Sequence, residues 1–301
     1  MKTDFFPNRF LTEYNKYPNR KKKNSSPKIS IVMPSYNQAQ FIERSILSVI
    51  NQDYANTELI IIDGGSKDGT VDIIQKYKNK ITLWISEKDR GQSDALNKGF
   101  KHCKGEIFGW LNSDDIYLPN TFKFIIEALE KNPDKNIFYG DWLEIDSDDK
   151  IISRNFSFKF NLNQFLYEGW SLHPQSLFWT KDVHLRFGRF DEDLHTNMDK
   201  QMILRFAKNE GIKNFKLIPF FLCAFRRHVS QKTENNLFQI QKDNALFYTR
   251  YITKKYSFFF NLVIKYIYKF RRAYFYFKRG GFFYFFLRLK KFLNSSMKRK
   301  W

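Results

Sequence analysis

The stretch Trp110-Leu111-Asn112-Ser113-Asp114-Asp115 directly follows a short apolar run that begins with Ile107 and Phe108. It indicates a buried strand that ends in a cluster of side chains bearing oxygen atoms. In an open α/β sheet, ligands bind outside the carboxyl ends of the strands. Carboxylate and amide oxygens suit Mg²⁺ or Mn²⁺ and, through the ion, phosphate. The stretch therefore predicts either a divalent-cation site or a polar turn that caps the next helix, since Ser and Asp are also common N-cap residues.

Strand and helix patterns alternate around this stretch. Apolar residues at helical spacing predict helices between short apolar runs that predict strands. The predicted strands cover 28–33, 58–62, 81–86 and 107–111, and the predicted helices cover 40–51, 71–77 and 92–101. This alternation predicts an α/β fold with a parallel, doubly wound sheet. Two further strands are predicted at 136–143 and 150–156, joined by the polar turn from Asp146 to Asp149.

The composition indicates a globular, mildly basic body with a strongly basic C-terminal end. The 301 residues are 43% hydrophobic and 27% charged, and the net charge is +20. Between Tyr251 and Trp301 there are 14 Lys or Arg and no Asp or Glu, which leaves a net charge of +6 on the first 250 residues. Cys103 and Cys223 lack metal-type spacing, and no signal peptide or membrane-spanning apolar run is visible. These features predict a cytoplasmic protein.

Two other predicted strands also end in polar residues. Pro34-Ser35-Tyr36-Asn37 follows the first strand, and Asp63-Gly64-Gly65 opens the turn after the second. Glycines let the backbone approach a ligand closely, and a carboxylate at Asp63 would accept hydrogen bonds from a base or ribose. The alternative is a glycine-rich turn in which Asp68 or Thr70 caps the following helix. The dinucleotide fingerprint of three spaced glycines is absent, which disfavours a hydride-transfer enzyme.

Three motifs, in this order and spacing, resemble those of family 2 glycosyltransferases. They are Pro-Ser-Tyr-Asn at 34–37, Ile-Asp-Gly-Gly-Ser-Lys-Asp-Gly-Thr at 62–70 and Asn-Ser-Asp-Asp at 112–115, and the segment from Ser86 to Gly99 is similar as well. The resemblance is strong over 28–142 and looser to about Lys232. It implies a GT-A fold, with a Rossmann-like, mostly parallel sheet flanked by helices. It also implies an inverting enzyme whose donor is a nucleotide diphosphate sugar, most often UDP-linked, with Mg²⁺ or Mn²⁺ as cofactor.

The resemblance also divides the chain. A flexible basic arm at 1–27 precedes a glycosyltransferase domain at 28–250, in which 28–142 bind the nucleotide sugar and 143–250 form the acceptor half. An amphipathic extension rich in basic and aromatic residues, 251–301, completes the chain and is called the tail below.

The resemblance assigns roles to residues at matching positions. Asp114 and Asp115 match the metal-binding acidic motif, whose first acidic position is Asn112 here. Asp199, at the start of a predicted helix, matches the catalytic base; the alternative is that it only complements the helix dipole. The residues implied to contact the nucleotide sugar are Pro34, Ser35, Asn37, Asp63, Asp94, Lys98, Asn112, Ser113, Arg226 and His228.

Two positions depart from the family pattern. Many relatives have a second Asp where this chain has Gly64, and many have an Arg facing the donor phosphates where this chain has Leu96. Lys98, Arg90 or a residue of the tail would then supply the missing charge. The segment that contains Arg226 and His228 resembles one that closes over the diphosphate, and the alternative is a basic surface loop.

The tail consists of Phe and Tyr runs interrupted by Lys and Arg, and Gly280-Gly281 divides it. Aromatic faces with cationic flanks are typical of helices at an anionic membrane surface. One alternative is that the tail forms a helical layer packed on the domain. A nucleic-acid interface is the least favoured interpretation, because no RNA-binding motif accompanies the pattern.

We therefore expect a peripheral enzyme on the inner face of the cell membrane, with a glycan or lipid-linked acceptor from surface polysaccharide or glycolipid biosynthesis and no nucleic acid partner. The rival interpretations are a sugar-1-phosphate nucleotidyltransferase and a catalytically inactive basic protein that binds lipid or nucleic acid.

Overall fold

The computed structural model describes residues 26–168, 172–231, 237–251, 263–264, 266–278 and 286. The strands are β1 (Ile29–Ser35), β2 (Thr57–Asp63), β3 (Leu83–Ser86), β4 (Ile107–Trp110), β5 (Ile116–Tyr117), β6 (Ile137–Ile145), β7 (Ile151–Asn155), β8 (Leu177–Thr180) and β9 (Phe215–Arg226). The helices are α1 (Ile42–Ile50), α2 (Thr70–Lys76), α3 (Gln92–Phe100), α4 (Thr121–Lys131), α5 (Leu162–Glu168), α6 (Lys181–Phe187), α7 (Met198–Asn209) and α8 (Leu237–Tyr251). Residues 266–278 are also helical.

Within these residues the strands form one sheet in the order β3-β2-β1-β4-β8-β6-β9-β5, and β7 pairs with β6. The pairs β3-β2, β2-β1 and β1-β4 are parallel, as the alternation of strands and helices predicted. The strand β8 is antiparallel to both β4 and β6, whereas β6 and β9 are parallel. The parallel half of the sheet is therefore built from the first 110 residues, and the second half is mixed.

The central strands are buried on both faces, because helices cover both sides of a parallel sheet. Alternate residues of β2 divide between the two faces: Leu59 and Ile61 pack into the core cluster that includes residues of α1, whereas Ile60 and Ile62 pack with Ala95 of α3. The close approach of α3 to β1 requires Gly99, since a Cβ there would lie 2.4 Å from a methyl carbon of Val32.

The predicted hairpin between β6 and β7 is present. The carboxylate of Asp146 accepts hydrogen bonds from the backbone N–H groups of Asp148 (2.9 Å) and Lys150 (2.8 Å), which closes the turn. Asp149 lies in the left-handed region, with φ of 64°. The polar sequence of this turn thus satisfies its own backbone, as short Asp-rich turns commonly do.

The chain forms two units. The first comprises Met1–Ser157 and Leu172–Thr253 and includes the whole sheet, and the second comprises Phe158–Ser171 and Lys254–Trp301. In the second unit the ring of Phe158 lies 5.4 Å from that of Phe275. The sequence prediction assigned 158–171 to the acceptor half, whereas in the structure these residues group with the tail.

Two sequence predictions concern the ends of the chain. The predicted N-terminal arm, 1–27, falls almost entirely outside the described residues, as do 252–262, 279–285 and 287–301 of the tail. Among the residues that the structure does describe, no helix has the length and apolar character needed to cross a bilayer.

Candidate functional site

The carboxyl ends of the parallel strands lie at one edge of the sheet. The register pairs Ser35 of β1 with Asp63 of β2, and Asp63 with Ser86 of β3. Val32 of β1 pairs with Trp110 at the end of β4. The polar segments that follow these strands share this edge, which we call the ligand edge. The sequence-predicted residues that it brings together are Pro34, Ser35, Asn37, Asp63, Asn112, Ser113 and Asp114.

Asp63 is fully buried, and its own turn engages its carboxylate. Oδ2 accepts hydrogen bonds from the backbone N–H groups of Gly65 (3.1 Å) and Ser66 (2.9 Å) and from Ser86 Oγ (2.7 Å). Oδ1 accepts a further hydrogen bond from Ser66 Oγ at 2.5 Å. Four hydrogen bonds identify Asp63 as the residue that shapes this turn, and the predicted contact with a nucleobase competes with them.

Asn37 joins the loops after β1 and β2. Its backbone N–H donates to Ser66 Oγ (2.7 Å), and its Oδ1 accepts a hydrogen bond from the Lys67 N–H (3.0 Å). The left-handed backbone of Asn37, with φ of 51°, is one that Asn tolerates better than most residues. Nearby, Ser35 is 4% exposed, and its Oγ has no hydrogen-bond partner within the described residues. Because buried hydroxyls are nearly always paired, this atom is available to a ligand.

Asp89 is a residue whose position the sequence did not predict. A Cβ on Gly64 would lie only 2.9 Å from Asp89 Oδ2, so this carboxylate occupies the space beside the turn of Asp63. Asp89 Oδ1 accepts a hydrogen bond from the Gly91 N–H (2.8 Å), and this bond fixes the orientation of the carboxylate and so the position of Oδ2. Many relatives have their second Asp at the position of Gly64, and here a carboxylate from the next loop lies in that place. The only sequence feature that pointed to Asp89 was its position within the segment from Ser86 to Gly99, which resembles a segment of the family.

Asp114 and His228 face each other at the ligand edge. His228 Nε2 lies 3.1 Å from Asp114 Oδ2, and Nδ1 lies 2.7 Å from Ser230 Oγ. The imidazole also packs against Phe41, with 4.6 Å between ring centroids. The Asp114 side chain remains 17% exposed and that of His228 4%. A carboxylate oxygen and an imidazole nitrogen at this separation are arranged as two ligands of one cation would be.

Asp115 points the other way. It is fully buried, Oδ1 accepts a hydrogen bond from the Arg226 N–H (2.8 Å), and Oδ2 lies 3.4 Å from Asn112 Nδ2. Burial, together with the charge of Asp114, raises the pKa of the Asp115 carboxyl well above its usual range. The prediction that Asp115 binds metal beside Asp114 does not fit this geometry, because Asp115 lies in the turn between β4 and β5 with its carboxylate buried and bonded to the Arg226 N–H.

Arg226 also differs from its predicted role. Its side chain is 0% exposed, and the guanidinium pairs with Asp149 Oδ1 at 2.6 Å. Nε donates to the Asp114 carbonyl (2.7 Å) and Nη1 to that of Asp146 (3.1 Å), above the ring of Phe41. A guanidinium held in this way fixes the backbone at Asp114 and is not presented to a diphosphate. The sequence could not distinguish the inward Arg226 from the outward Arg227.

Asp94 and Lys98 pair with one another on α3. Lys98 Nζ lies 2.8 Å from Glu87 Oε1 and 3.4 Å from Asp94 Oδ2. Asp94 also accepts hydrogen bonds from the N–H and guanidinium of Arg90. Burial alone would raise the pKa of the Asp94 carboxyl, but the bonds from Arg90 and the charge of Lys98 lower it. Both side chains that the resemblance implied in donor binding are thus committed to an ion-pair network.

Asp199 lies in the first turn of α7, where its Oδ1 accepts a hydrogen bond from the Lys200 N–H (2.7 Å). The turn before this helix is held by the buried Asp243 of α8. Asp243 Oδ2 accepts hydrogen bonds from the N–H groups of His195 (2.8 Å) and Thr196 (2.6 Å) and from Thr196 Oγ1 (2.8 Å). The position of Asp199 therefore depends on a helix that begins 38 residues later.

The first turn of α3 connects the start of α7 to the end of β4. Gln92 Nε2 donates to Asn112 Oδ1 at 2.7 Å. The next residue, Ser93, directs its Oγ toward the Leu194 carbonyl (3.2 Å) and Met198 Sδ (2.9 Å). Two neighbouring side chains thus tie the Asn112–Asp115 segment to the segment that carries Asp199.

His173 is structural in this arrangement. Its ring lies 5.5 Å from that of Trp142 and 5.1 Å from that of Phe225. Burial lowers the pKa of His173 to about 3, so the imidazole is neutral at physiological pH.

The residues present fit a divalent cation that is held partly by its substrate. Over the described ranges, no group of three or more His, Cys, Asp or Glu side chains is arranged to hold a metal by itself. Asp114 and His228 supply two ligands, and Mg²⁺ sites commonly combine one or two carboxylates with substrate phosphates and water.

The chain was compared with known proteins. The family model described as Glycosyl transferase family 2 matches residues 30–187. An uncharacterised glycosyltransferase of Rickettsia typhi is 31% identical over 228 residues, which cover 73% of this chain and 70% of that protein. The UDP-Glc:alpha-D-GlcNAc-diphosphoundecaprenol beta-1,3-glucosyltransferase WfgD of Escherichia coli is 35% identical over 127 residues, which cover 42% of this chain and 49% of that protein.

Among solved structures, the crystal structure of S. aureus TarS 1-349 in complex with UDP-GlcNAc aligns with a TM-score of 0.61 and 16% sequence identity. The alignment covers 83% of this chain and 73% of that one. At this identity the likeness concerns the fold alone. It confirms the predicted GT-A architecture, an α/β sheet flanked by helices.

Proposed function

Because this chain belongs to glycosyltransferase family 2, we propose that it transfers a sugar from a nucleotide diphosphate sugar, UDP-linked, to a hydroxyl of a glycan or lipid-linked acceptor. The observation that carries this proposal is the pair formed by Asp114 Oδ2 and His228 Nε2, 3.1 Å apart at the ligand edge. Ligands bind at the carboxyl ends of parallel strands, and a cation that bridges to a diphosphate is commonly held there by one or two protein side chains. The named substrates of relatives agree with this donor: TarS is in complex with UDP-GlcNAc, and WfgD is a UDP-Glc transferase.

Asp114 and His228 would hold Mg²⁺ or Mn²⁺ together with oxygens of the donor diphosphate. Bound there, the ion neutralises negative charge that develops on the departing diphosphate. His228 would bind the ion through Nε2, and the contact between Nδ1 and Ser230 Oγ orients the ring. Arg226 contributes indirectly, because it holds the backbone of Asp114 from the protein interior.

The nucleoside would lie along the loops after β1, β2 and β3. Asn37 and Ser66 fix the shape of this surface, and Ser35 Oγ is a buried hydroxyl without a partner in the described residues. We assign the contact with the base to Asp89 Oδ2, since Asp63 is occupied by its own turn. A carboxylate accepts a hydrogen bond from the imide N–H of uracil, which a cytosine ring lacks.

Asp199 is the proposed catalytic base. As the acceptor hydroxyl attacks the anomeric carbon, its proton passes to the Asp199 carboxylate, and the bond between the anomeric carbon and the diphosphate oxygen breaks. A single displacement of this kind inverts the anomeric centre. The link from Asn112 through Gln92 and Ser93 to Met198 supports the placement of this base near the donor.

The acceptor class follows from the tail. Fourteen cationic residues without an acidic one suit an anionic membrane surface on the inner face of the cell membrane. An enzyme held there would meet acceptors carried on lipid, such as those of surface polysaccharide or glycolipid biosynthesis. The name of WfgD includes a lipid diphosphate acceptor, diphosphoundecaprenol, which agrees with this proposal.

The test is a product assay with the purified full chain. A panel of nucleotide sugars is incubated with Mn²⁺ or Mg²⁺, with and without acceptor, and released UDP and pyrophosphate are measured separately. We expect UDP, and we expect Asp199→Asn to lower the rate at least about 10²-fold while UDP binding is retained. Asp134→Asn, an exposed residue paired with Lys135, is the control and should leave the rate unchanged. A parallel arm supplies UTP with a sugar 1-phosphate, and pyrophosphate release there would support the nucleotidyltransferase interpretation. No turnover in either arm would support the inactive binding protein.

A further inference from the structure

The helix at 266–278, in the second unit, exposes one face made of large apolar and aromatic side chains. Tyr266 is 52% exposed, Ile267 57%, Phe270 74% and Tyr274 67%. Their spacing of three and four residues places them on one stripe of the helix. We call these four residues the aromatic face.

A different side of this helix faces its own unit. The ring of Phe275 packs against Phe158, and Gln164 Nε2 lies 3.5 Å from the carbonyl oxygen of Tyr268. Phe158 and Phe165 of this unit are buried. The helix therefore packs against its own unit through another side, and the side chains of the aromatic face are exposed.

Cations accompany the aromatic face. Lys269 Nζ lies 5.3 Å from the centroid of the Tyr266 ring, and Arg271 and Lys278 are exposed on the same helix. The tail contains no acidic residue. Exposed rings flanked by Lys and Arg form the pattern of a helix that lies in the headgroup region of an anionic bilayer.

We propose that the aromatic face binds an anionic phospholipid surface, with the helix axis parallel to the membrane plane. The rings enter the boundary between headgroups and acyl chains, and Lys269, Arg271 and Lys278 meet lipid phosphates. A surface position, and not a span, follows because a span needs about 20 consecutive apolar residues. This inference assigns the membrane contact to a defined surface and does not depend on sugar transfer.

The test is vesicle flotation with the full chain. We expect binding to vesicles of phosphatidylglycerol and phosphatidylcholine, weaker binding at high salt, and little binding to phosphatidylcholine alone. Phe270→Ser with Tyr274→Ser should weaken binding to the anionic vesicles at least about tenfold, since each substitution removes a buried ring from the interface. Arg271→Gln with Lys278→Gln should weaken it by a similar factor and reduce its salt dependence.

Leu185→Ser is the matched control, because Leu185 is 72% exposed on α6, in the first unit. It should leave vesicle binding unchanged. Thermal unfolding and donor hydrolysis are measured for every variant, and both should match those of the unaltered chain. UDP release without vesicle binding would overturn this inference and the lipid-carried acceptor, and leave sugar transfer from a UDP-linked donor intact. Vesicle binding without UDP release would support this inference and overturn sugar transfer.

Two other occupants of the aromatic face are outcomes of the same experiment. Sedimentation equilibrium that shows a dimer, abolished by Phe270→Ser with Tyr274→Ser, would assign the face to a second copy of the chain. Competition of single-stranded RNA with vesicles, lost in the same variant, would assign it to nucleic acid. Either result would overturn the lipid proposal, as would vesicle binding that the variant leaves unchanged.

Discussion

Two carboxylates that each follow a buried parallel strand, Asp63 after β2 and Asp114 after β4, have different surroundings. The partners of Asp63 are residues 65, 66 and 86, so the bonds that hold it form within 23 positions of the chain. The partners of Asp114 are Arg226 and His228, 112 and 114 positions away. The sequence patterns around the two carboxylates are similar. The structure nevertheless holds Asp63 by bonds within its own turn and nearby strand, and Asp114 by contacts with a distant part of the chain. The remote partners leave Asp114 partly exposed beside the imidazole of His228.

The largest expected effect on activity distinguishes the role of Asp114 from that of the adjacent Asp115. Asp114→Asn removes the charge that faces His228, and we expect transfer to fall about 10³-fold, with loss of Mn²⁺-dependent UDP binding in calorimetry. Asp115→Asn, one residue away, should keep that binding because Asp115 is buried and engaged with Arg226 and Asn112. Equal losses of metal-dependent binding in the two variants would contradict this division of roles.

The second prediction concerns the interior support of the cluster. Arg226→Gln removes the buried guanidinium that pairs with Asp149 at 2.6 Å, and Asp149 keeps its ion pair with Arg44 at 2.7 Å, so we expect a loss of about 1.5–3 kcal/mol of unfolding free energy. Arg227→Gln is the control, since its guanidinium is 43% exposed and pairs with Glu144 at 3.2 Å. We expect about 0–1 kcal/mol for this exposed pair in urea denaturation. Similar costs for both variants would show that Arg226 does not hold the cluster together.

The third prediction extends the comparison to the proposed base. Asp243→Asn weakens the bonds to the turn at His195 and Thr196, so we expect kcat to fall about tenfold while the KM for the donor stays constant. Lys242→Gln, exposed on the same helix, should change neither constant. If Asp243→Asn raises the donor KM and leaves kcat unchanged, Asp243 does not position the base.

The smallest effect belongs to the self-contained turn. Asp89→Asn should raise the KM for a UDP-sugar about tenfold with no change in thermal stability, since Asp89 Oδ2 lies beside the turn and forms none of its bonds. Asp63→Asn should instead lower the free energy of unfolding by about 1–3 kcal/mol, because an amide keeps only one of the two oxygens that accept the four hydrogen bonds of this turn. The opposite assignment of the two effects would return base recognition to Asp63.

Much of the fold could be predicted from local patterns. The predicted strands at 28–33, 58–62 and 107–111 agree with β1, β2 and β4 to within two residues, because buried parallel strands are continuous apolar runs. The hairpin turn was predictable because Asp146 satisfies the backbone of its own loop. The grouping of 158–171 with the tail could not be predicted from local patterns, because it depends on the packing of Phe158 against Phe275, more than 100 residues away in the sequence.

The sequence predicted the location of the candidate site better than it predicted which of its side chains face a ligand. Strand ends and turn chemistry indicated Ser35, Asn37, Asp63 and Asp114, and the structure brings them to one edge. The inward direction of Asp115 and Arg226 was not predictable. Asp115 lies in the turn between β4 and β5, and its bond to the Arg226 N–H requires the pairing of β5 with the distant β9.

The sequence by itself determined the α/β alternation, the parallel half of the sheet and the edge at which polar residues gather, because these follow from periodicity and from turns that bond to themselves. Only the tertiary structure decided which of two neighbouring carboxylates faces His228, which arginine is buried, and where a carboxylate replaces the one missing at Gly64. Those outcomes depend on contacts between residues up to 114 positions apart, and no local preference encodes such contacts.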